Sequence, residues 1–252
     1  MKKSLLILLF SALYFAANGQ IRNRDSTVSG SLYSAQFGAY ATAGDWAGRY
    51  NSSYGIGAGY DYKTTGNWLI GGSFLYHFGE SFTGSDPFAD IRLENGELLA
   101  LSGDYASVRA NQAGWTFKAN VGKILPIMGP NPNSGLLLQF GAGYVRHKLN
   151  ITNPGETMPN ISGEYEKGYD ELHTGFLTSQ YVAYAHLGNR RLVNFTAGFE
   201  FMQGFTTNAR GYNYSTGLAD TGSKLDLYIG AKITWIFPVY SKNEQKYYYF
   251  QD

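Results

Sequence analysis

One stretch near the C-terminus decides the fold, and it reads Leu225-Asp226-Leu227-Tyr228-Ile229-Gly230-Ala231-Lys232-Ile233-Thr234-Trp235-Ile236-Phe237. Its odd positions are all apolar or aromatic, whereas its even positions are mostly small, polar or charged. A period of two is the period of a β-strand, in which successive side chains point to opposite faces. The stretch therefore predicts a strand with one apolar face and one face that carries glycine and charges.

The same alternation recurs along the chain and predicts eight strands. Six are clear, at 54–62, 68–78, 115–121, 136–144, 193–202 and 224–237, and two weaker ones lie at about 31–42 and 172–187. The composition agrees, because the chain contains 32 Gly, 21 Tyr, 16 Phe and 4 Trp. That many glycines would break helices, whereas aromatic residues favour strands.

The composition also excludes several function classes. The 20 Lys and Arg residues are balanced by 19 Asp and Glu residues, so no strong field exists to attract nucleic acid. The absence of cysteine excludes a disulfide scaffold, a cysteine metal site and a thiol nucleophile. Beyond the N-terminus, no apolar run approaches the length that a membrane-spanning helix needs.

The N-terminus has the pattern of a secretory signal peptide. Met1-Lys2-Lys3 is basic, the following residues to Ala17 are mostly apolar, and the stretch ends in Ala17-Asn18-Gly19. We therefore expect a signal peptide at 1–19 with cleavage before Gln20, a periplasmic segment at 20–30, a barrel at 31–238 and a periplasmic aromatic tail at 239–252.

Two architectures fit eight amphipathic strands, namely a soluble sandwich or lipocalin-like barrel and a membrane barrel. The polar faces here are rich in glycine and poor in lysine and glutamate, which favours the crowded inside of a narrow closed barrel. Aromatic residues near the strand ends are typical of the two girdles of a membrane barrel. One predicted girdle contains Tyr62, Trp68, Trp235 and Phe237, and the other contains Tyr76, Phe78, Tyr144 and Phe201.

The lengths of the connections also alternate. Segments 64–67 and 187–190 are short and 123–134 is moderate, whereas 81–106, 151–171 and 207–222 are long. We therefore predict an all-β fold, a transmembrane antiparallel up-and-down β-barrel of about eight strands. Its long loops would be extracellular, its short turns periplasmic, and both termini periplasmic, in the outer membrane of a Gram-negative bacterium. Within 81–106, Asn95-Gly96 predicts a hairpin that continues the third and fourth strands outward.

The chain resembles the small outer-membrane barrels of Bacteroidota, of the PorT-like and OmpA-like kinds. The resemblance covers the mature chain as architecture and its last twenty-five or so residues as motif. The final strand is similar to the signal read by the barrel-assembly machinery, with Tyr228, Gly230, Ile233, Trp235 and Phe237 at the signal positions. The residues after it resemble the tails of barrels linked to type IX secretion or gliding, and they differ from an ordinary signal, which ends the chain. The candidate partner tail consists of Tyr240, Tyr247, Tyr248, Tyr249 and Phe250.

Five charged residues fall on inward positions, and we expect them to form an interior network. They are Asp61, Lys118, Glu200, Asp226 and Lys232. Charges in so dry a space must be paired, and Glu200 and Lys232 lie at similar depth on neighbouring strands, so these two are expected to pair. A network that stiffens the barrel and a path for protons or ions both remain open.

Three histidines offer an enzymatic alternative at the extracellular rim. His77 and His147 fall on inward positions at strand tops, and His173 begins the sixth strand. Lipid-modifying barrels use a histidine, a serine and an acid in such a place, but no spacing here ties one serine, such as Ser73 or Ser102, to one histidine. Acids in 81–104 could collect Ca²⁺, yet they lack the spacing of an EF-hand. No catalytic residue, cofactor site or metal site is assigned.

The first hypothesis for function is therefore a non-enzymatic barrel with a structural or assembly role, as an accessory of a secretion or gliding complex. A lipid-modifying enzyme that uses the rim histidines and a narrow channel or surface-binding barrel are the alternatives. The expected partners are outer-membrane lipid, the barrel-assembly machinery during biogenesis, and secretion components of the periplasm or outer membrane. Nucleic acid is not expected as a partner.

Overall fold

A computed structural model describes residues 26–81, 86–188 and 193–240. Eight long strands dominate it, and two pairs of very short strands lie in the loops. The long strands are β1 (Gly30–Gly44), β2 (Ser52–Lys63), β3 (Trp68–Ser81), β6 (Arg109–Leu125), β7 (Gly135–Thr152), β8 (His173–Leu187), β9 (Asn194–Asn208) and β12 (Ser223–Tyr240). The short strands are β4 (Leu98–Leu99), β5 (Tyr105–Ala106), β10 (Tyr212–Asn213) and β11 (Leu218–Ala219).

The eight long strands form one closed antiparallel barrel in which neighbours in sequence are neighbours in space. Pairing runs from β1 through β2, β3, β6, β7, β8 and β9 to β12, and β12 pairs with β1 to close the wall. The predicted all-β, up-and-down antiparallel barrel of eight strands is confirmed. Closure leaves no free strand edge, so every wall strand has hydrogen-bonded neighbours on both sides.

The barrel wall extends slightly beyond the range predicted from sequence. Gly30 pairs with Tyr240 on one side and with Lys63 on the other. Tyr240, which the sequence assigned to the tail, is therefore the last residue of the wall. The predicted signal peptide at 1–19 and the tail residues Tyr247, Tyr248, Tyr249 and Phe250 lie outside the described residues.

The connections differ in length at the two ends of the barrel. The connections after β2, β6 and β8 contain 4, 9 and 6 residues, whereas those after β1, β3, β7 and β9 contain 7, 27, 20 and 14. The first residue of β1 and the last residue of β12 lie at the end with the shorter connections. We call this the short-turn end, and the opposite end the long-loop end. The long-loop end contains 3₁₀ helices at Asp45–Gly48, Ala89–Ile91, Pro154–Glu156 and Pro159–Ile161, and a short α-helix, α1, at Glu166–Tyr169.

The turn expected at Asn95-Gly96 is present, but the expectation that it continues the third and fourth strands of the barrel outward is wrong. Those residues form a tight turn in which Leu93 N–H donates to Glu97 O, before β4 begins. The hairpin of this loop is formed by β4 and β5 and does not continue β3 and β6. Contacts with the neighbouring loop replace a strand extension, since Leu101 N–H donates to Thr157 O at 3.0 Å.

The outer wall is apolar, as the alternation predicted. Exposed side chains on it include Ile56, Ile70, Phe117, Phe140 and Phe199, the last of which is 74% exposed. The predicted girdle aromatics at the short-turn end all lie outward. At the other end, Phe201 is an exception, because it pairs with Gln180 and Ile229 near the middle of the wall. Phe176 and Phe205, which pair with each other, occupy the girdle position there.

No helix among the described residues is long and apolar enough to cross a membrane. The interior is filled by two apolar clusters, one near each end, with a polar layer between them. The cluster of the long-loop end includes Tyr40, Trp46, Phe88, Leu98, Leu149, Ile161, Tyr169 and Tyr228. The cluster of the short-turn end includes Leu32, Leu69, Ile124, Leu137, Tyr181, Leu187 and Ile236.

Candidate functional site in the barrel interior

A cluster of three charges occupies the middle of the lumen. Glu200 Oε1 lies 2.6 Å from Lys232 Nζ and 2.5 Å from Lys118 Nζ. The other carboxylate oxygen of Glu200 accepts a hydrogen bond from the Tyr40 hydroxyl at 2.7 Å. All three charged side chains are at most 4% exposed. Both carboxylate oxygens therefore have donors, which is the condition for burying such a charge.

Two aromatic residues support this cluster, and the sequence analysis missed both. The Nζ of Lys232 lies 3.9 Å from the ring centroid of Tyr181, a cation–π contact. The Tyr40 hydroxyl donates to Oε2 of Glu200, the second oxygen of that carboxylate. Both tyrosines lie on inward positions of their strands. The parity of the strand pattern could have identified them, because an inward tyrosine in a narrow lumen must place its hydroxyl against a polar group.

Asp61 lies below this cluster, towards the short-turn end. Its carboxylate accepts a hydrogen bond from Gln139 Nε2 at 3.3 Å, and it forms no ion pair within 4 Å among the described residues. Asp61 and Lys232 line a small cavity together with Gln36, Gln139, Tyr181 and Thr234. The Oε1 atom of Gln36, a buried residue, has no hydrogen-bond partner in the described ranges of the chain. The cavity is lined by these polar side chains and, towards the short-turn end, by apolar side chains such as those of Leu32 and Leu69.

Asp226 is separate from the central cluster. Its carboxylate accepts hydrogen bonds from His147 Nε2 at 2.8 Å and from the Thr206 hydroxyl at 2.6 Å. The five charges predicted as one network therefore divide into a central group around Glu200, with Asp61 beneath it, and an upper group around Asp226. The upper group includes His147, which was expected from the sequence at the extracellular rim and not as a partner of Asp226.

The three histidines are not at an accessible rim, which corrects the expectation from sequence. His77, His147 and His173 are at most 1% exposed. The ring of His147 stacks on that of His173, with centroids 5.5 Å apart and planes at 9°. The Trp46 ring covers His147, with centroids 3.7 Å apart. Trp46 belongs to the connection between β1 and β2. The alternation along the strands does not reveal that this connection covers His147.

Among the described residues, none of the hydrogen bonds of His77, His147 and His173 involves a serine. His77 Nε2 lies 3.2 Å from the Thr116 hydroxyl. Ser73 accepts a hydrogen bond from Asn120, and Ser102 lies in an exposed loop, where it donates to Asp104. The geometry therefore brings a histidine and an acid together, in His147 and Asp226, but the hydroxyl beside this pair, that of Thr206, donates to the carboxylate and is not bonded to the imidazole.

The loops of the long-loop end are held by ion pairs above the histidines. Arg49 forms an ion pair with Glu171 at 3.0 Å, and its guanidinium lies against the His173 ring. Asp170 accepts a hydrogen bond from Arg210 at 2.7 Å, which raises the pKa of Arg210. These contacts tie three connections together above the lumen, namely those after β1, β7 and β9.

Three acids of the loop at 81–104, Asp86, Asp90 and Asp104, have partners within the loops. Asp86 pairs with Arg92, and Asp90 accepts a hydrogen bond from the Tyr169 hydroxyl at 3.3 Å. Burial and the nearby Asp90 raise the pKa of Tyr169 above its usual value. Across residues 26–81, 86–188 and 193–240, no group of three His, Cys, Asp or Glu side chains could hold a metal ion.

The short-turn end is closed by a clamp on the segment that precedes β1. Asn133 Oδ1 accepts hydrogen bonds from Val28 N–H at 2.9 Å and from Lys63 Nζ at 2.8 Å, and its amide donates to Ser26 O at 2.9 Å. Lys63 Nζ also donates to Val28 O at 2.7 Å. Lys63 belongs to β2 and Asn133 precedes β7, so the segment is held between two distant strands. Neither Lys63 nor Asn133 is among the site residues predicted from the sequence.

The residues of the proposed assembly signal lie on both faces of β12. Tyr228 and Gly230 face the lumen, and Tyr228 is fully buried against Trp46 and His77. Ile233, Trp235 and Phe237 face outward, and the rings of Trp235 and Phe237 stack at 5.7 Å. β12 is thus both the closing strand of the wall and a contributor to the interior.

A scan against protein-family models gave no match, and a search of curated proteins found no relative. Solved structures with a similar architecture include Ail, the attachment invasion locus protein of Yersinia pestis. It shares 11% identity with this chain at a TM-score of 0.40, and the alignment covers 82% of this chain and 99% of that one. Neisserial surface protein A shares 8% identity at a TM-score of 0.37, covering 81% and 95%. The outer membrane protein OprG from Pseudomonas aeruginosa shares 12% identity at 0.36, covering 84% and 99%. The assignment of the fold to this chain depends on its own strand pairing.

Proposed function

We propose that this chain is a non-enzymatic outer-membrane β-barrel with a structural or assembly role. One observation carries the proposal, namely that an apolar outer wall surrounds a lumen that is packed and closed at both ends. Such a barrel presents its surfaces, its loops and its chain ends to other molecules. The side chains of its described residues fill its middle.

The outer wall supports a location in the membrane. Large apolar side chains such as Ile70, at 58% exposed, and Phe199, at 74%, recur around it. Soluble monomers rarely expose apolar patches of this extent. A closed barrel satisfies all the backbone hydrogen bonds of its wall, which is what lipid requires of a spanning structure. An outer membrane is the bacterial membrane in which such barrels are found.

The unequal ends support an orientation. Outer-membrane barrels have short periplasmic turns and longer extracellular loops. The short-turn end of this barrel would therefore face the periplasm, together with the start of β1 and the end of β12. The residues that follow Tyr240 would then lie in the periplasm.

The interior opposes both alternative functions. Bulk permeation needs an open lumen, whereas the Glu200 cluster and the two apolar clusters fill this one. Lipid modification needs a histidine that a lipid can reach, whereas His77 and His147 are 1% exposed beneath the loops. A structural role makes neither demand.

The partner is proposed to bind at the periplasmic tail. Tyr247, Tyr248, Tyr249 and Phe250, with nearby lysines, suit a protein partner or lipid headgroups. We propose a component of a secretion or gliding complex of Bacteroidota as that partner. This finer assignment depends on the resemblance of the tail.

The test is affinity purification from gently solubilised outer membranes. The full-length chain would be compared with a chain that stops after Tyr240, which keeps β12 complete, and with Leu218→Ser at the other end of the barrel as the control. Heat-modifiable migration would check that all three insert as barrels. Recovery of periplasmic or outer-membrane proteins with full-length and Leu218→Ser chains, but not with the truncated chain, supports the proposal. If all three insert and none retains a partner, the assembly role is wrong.

A further inference from the structure

One part of the outer wall departs from its apolar character. Between the two aromatic girdles, the outward positions of the described strands carry only three serine, threonine, asparagine or glutamine side chains. They are Thr178 and Gln180 on β8 and Gln203 on the neighbouring β9. We call this group the polar wall patch.

The polar wall patch lies near the middle of the membrane-facing band. On the outward face of β8, Gln180 stands four residues from Phe176, at the long-loop girdle, and four residues from Tyr184, near the short-turn end. With a rise of about 3.3 Å per residue and a strand tilt of about 40°, each girdle is about 10 Å away in depth. Lipid tails would therefore surround this amide in an isolated barrel.

The patch is only partly satisfied by its own hydrogen bonds. Thr178 pairs with Gln203 in the sheet, and its hydroxyl donates to Gln203 Oε1 at 2.7 Å. Within the described part of the chain, the NH₂ group of Gln203 has no hydrogen-bond acceptor. Among the described residues, the side-chain amide of Gln180 forms no hydrogen bond. In hydrocarbon, unpaired amide groups are costly and seek a partner within the membrane.

The chemistry of the patch fits a second copy of itself. A primary amide has both a donor and an acceptor, so two glutamine side chains can pair with each other through two hydrogen bonds. Two copies related by a two-fold axis along the membrane normal would bring residues of equal depth together. Ala142, which pairs with Thr178 from β7, is small and leaves room for close approach.

We infer that the barrel forms a homodimer in the membrane through the polar wall patch on β8 and β9, with Gln180 of each copy near the axis. The inference rests on the proposed membrane location and adds a lateral partner to it. It concerns a different surface from the periplasmic tail, so the two can be tested separately.

The first experiment measures association in lipid vesicles. Met128, which is 86% exposed in the turn after β6, would be replaced by cysteine to attach donor or acceptor dyes to a chain that has no other cysteine. The two labelled populations would be mixed at low protein-to-lipid ratio. Gln180→Leu with Gln203→Leu is the test variant. Ile56→Leu with Phe74→Leu is the matched control, since β2 and β3 lie opposite β8 and β9 in the closed barrel.

The expected result is energy transfer in the wild type and in the control, and a dissociation constant raised roughly tenfold or more in the test variant. A second measurement locates the interface, with spin labels at Val182→Cys beside the patch and at Ile56→Cys on the opposite wall. A short intermolecular distance at Val182 and a long one at Ile56 support the inference.

Each contrary outcome has a distinct meaning. Heat-modifiable barrels in vesicles with no transfer, or with transfer that the glutamine substitutions leave unchanged, overturn the homodimer and leave the proposed location intact. Transfer only with a different membrane protein added would also overturn it. Failure of the wild type to enter vesicles as a barrel would overturn the proposed function together with this inference.

Discussion

Lys118 and Glu200 meet across the lumen, although β6 and β9 are three positions apart around the barrel wall. Lys232, on a strand next to Glu200, approaches the same carboxylate oxygen at 2.6 Å. One carboxylate therefore holds two ammonium groups in a dry space. The net charge of this group is positive, so the cluster depends on Glu200 more than on either lysine.

The first prediction concerns the loss of that carboxylate. Glu200→Gln leaves two buried lysines without a counter-charge, and we expect it to lower the free energy of unfolding by about 3–5 kcal/mol. Urea unfolding in detergent micelles, followed by tryptophan fluorescence, measures this. Glu164→Gln, in an exposed loop, should change stability by less than about 0.5 kcal/mol. A loss below about 1 kcal/mol in Glu200→Gln would mean that the cluster does not support the fold.

A companion variant tests whether the charges serve stability at all. Replacing the group as a whole, with Lys118→Met, Glu200→Leu and Lys232→Met, removes the charges together with the cost of burying them. We expect this triple variant to be more stable than Glu200→Gln alone. Equal stability of the two would show that unpaired charge does not cause the loss in Glu200→Gln.

The sequence predicted the wall far better than the interior contacts. Alternation along a strand depends on neighbouring residues, so the outward and inward faces could be read directly, and with them the inward positions of Glu200 and Lys232. The depth of His147 could not be read, because it depends on Trp46, which folds over it from a loop about a hundred residues earlier. The turn at Asn95-Gly96 misled for a similar reason, since its loop bonds to Thr157 instead of extending β3.

The second prediction separates a structural histidine from a catalytic one. His147→Phe keeps a ring against Trp46 but removes the hydrogen bond to Asp226, so we expect a loss of about 1–3 kcal/mol in unfolding free energy. His186 has an outward ring on β8 near the short-turn end. His186→Phe should lower the free energy of unfolding by less than about 0.5 kcal/mol. Mass spectrometry of outer-membrane lipids should show no change in either variant. Loss of a lipid modification in His147→Phe alone would instead support the enzymatic alternative.

The third prediction concerns the clamp below the barrel. Asn133→Ala removes three hydrogen bonds, to Ser26, Val28 and Lys63. Since each hydrogen bond contributes about 1 kcal/mol, the amide of Val28 should exchange with deuterium roughly tenfold or more faster. Hydrogen–deuterium exchange in micelles measures this, with Asn95→Ala at the other end as the control. Unchanged exchange at Val28 would show that the segment is held by packing alone.

The last prediction distinguishes two glycines that look alike in the sequence. Gly55 and Gly57 both face inward on β2, and alternation alone makes them equivalent. A Cβ on Gly57 would lie 1.9 Å from the backbone oxygen of Phe74, whereas a Cβ on Gly55 would first meet the Leu75 side chain at 3.0 Å. A backbone atom of a paired strand cannot move without breaking the ladder, but a leucine side chain can change rotamer.

We therefore expect Gly57→Ala to abolish or severely reduce the heat-modifiable barrel, and Gly55→Ala to assemble at nearly the wild-type level. The measurement is the folded fraction on gels of unheated and heated samples, with equal expression checked in the heated lanes. Normal assembly of Gly57→Ala would show that β2 and β3 can separate at this point, and that the narrow lumen tolerates more side-chain volume than their close approach implies. The contrast between the two variants tests the register of β2 against β3 directly, because a slip of one residue would move both glycines to the outer wall.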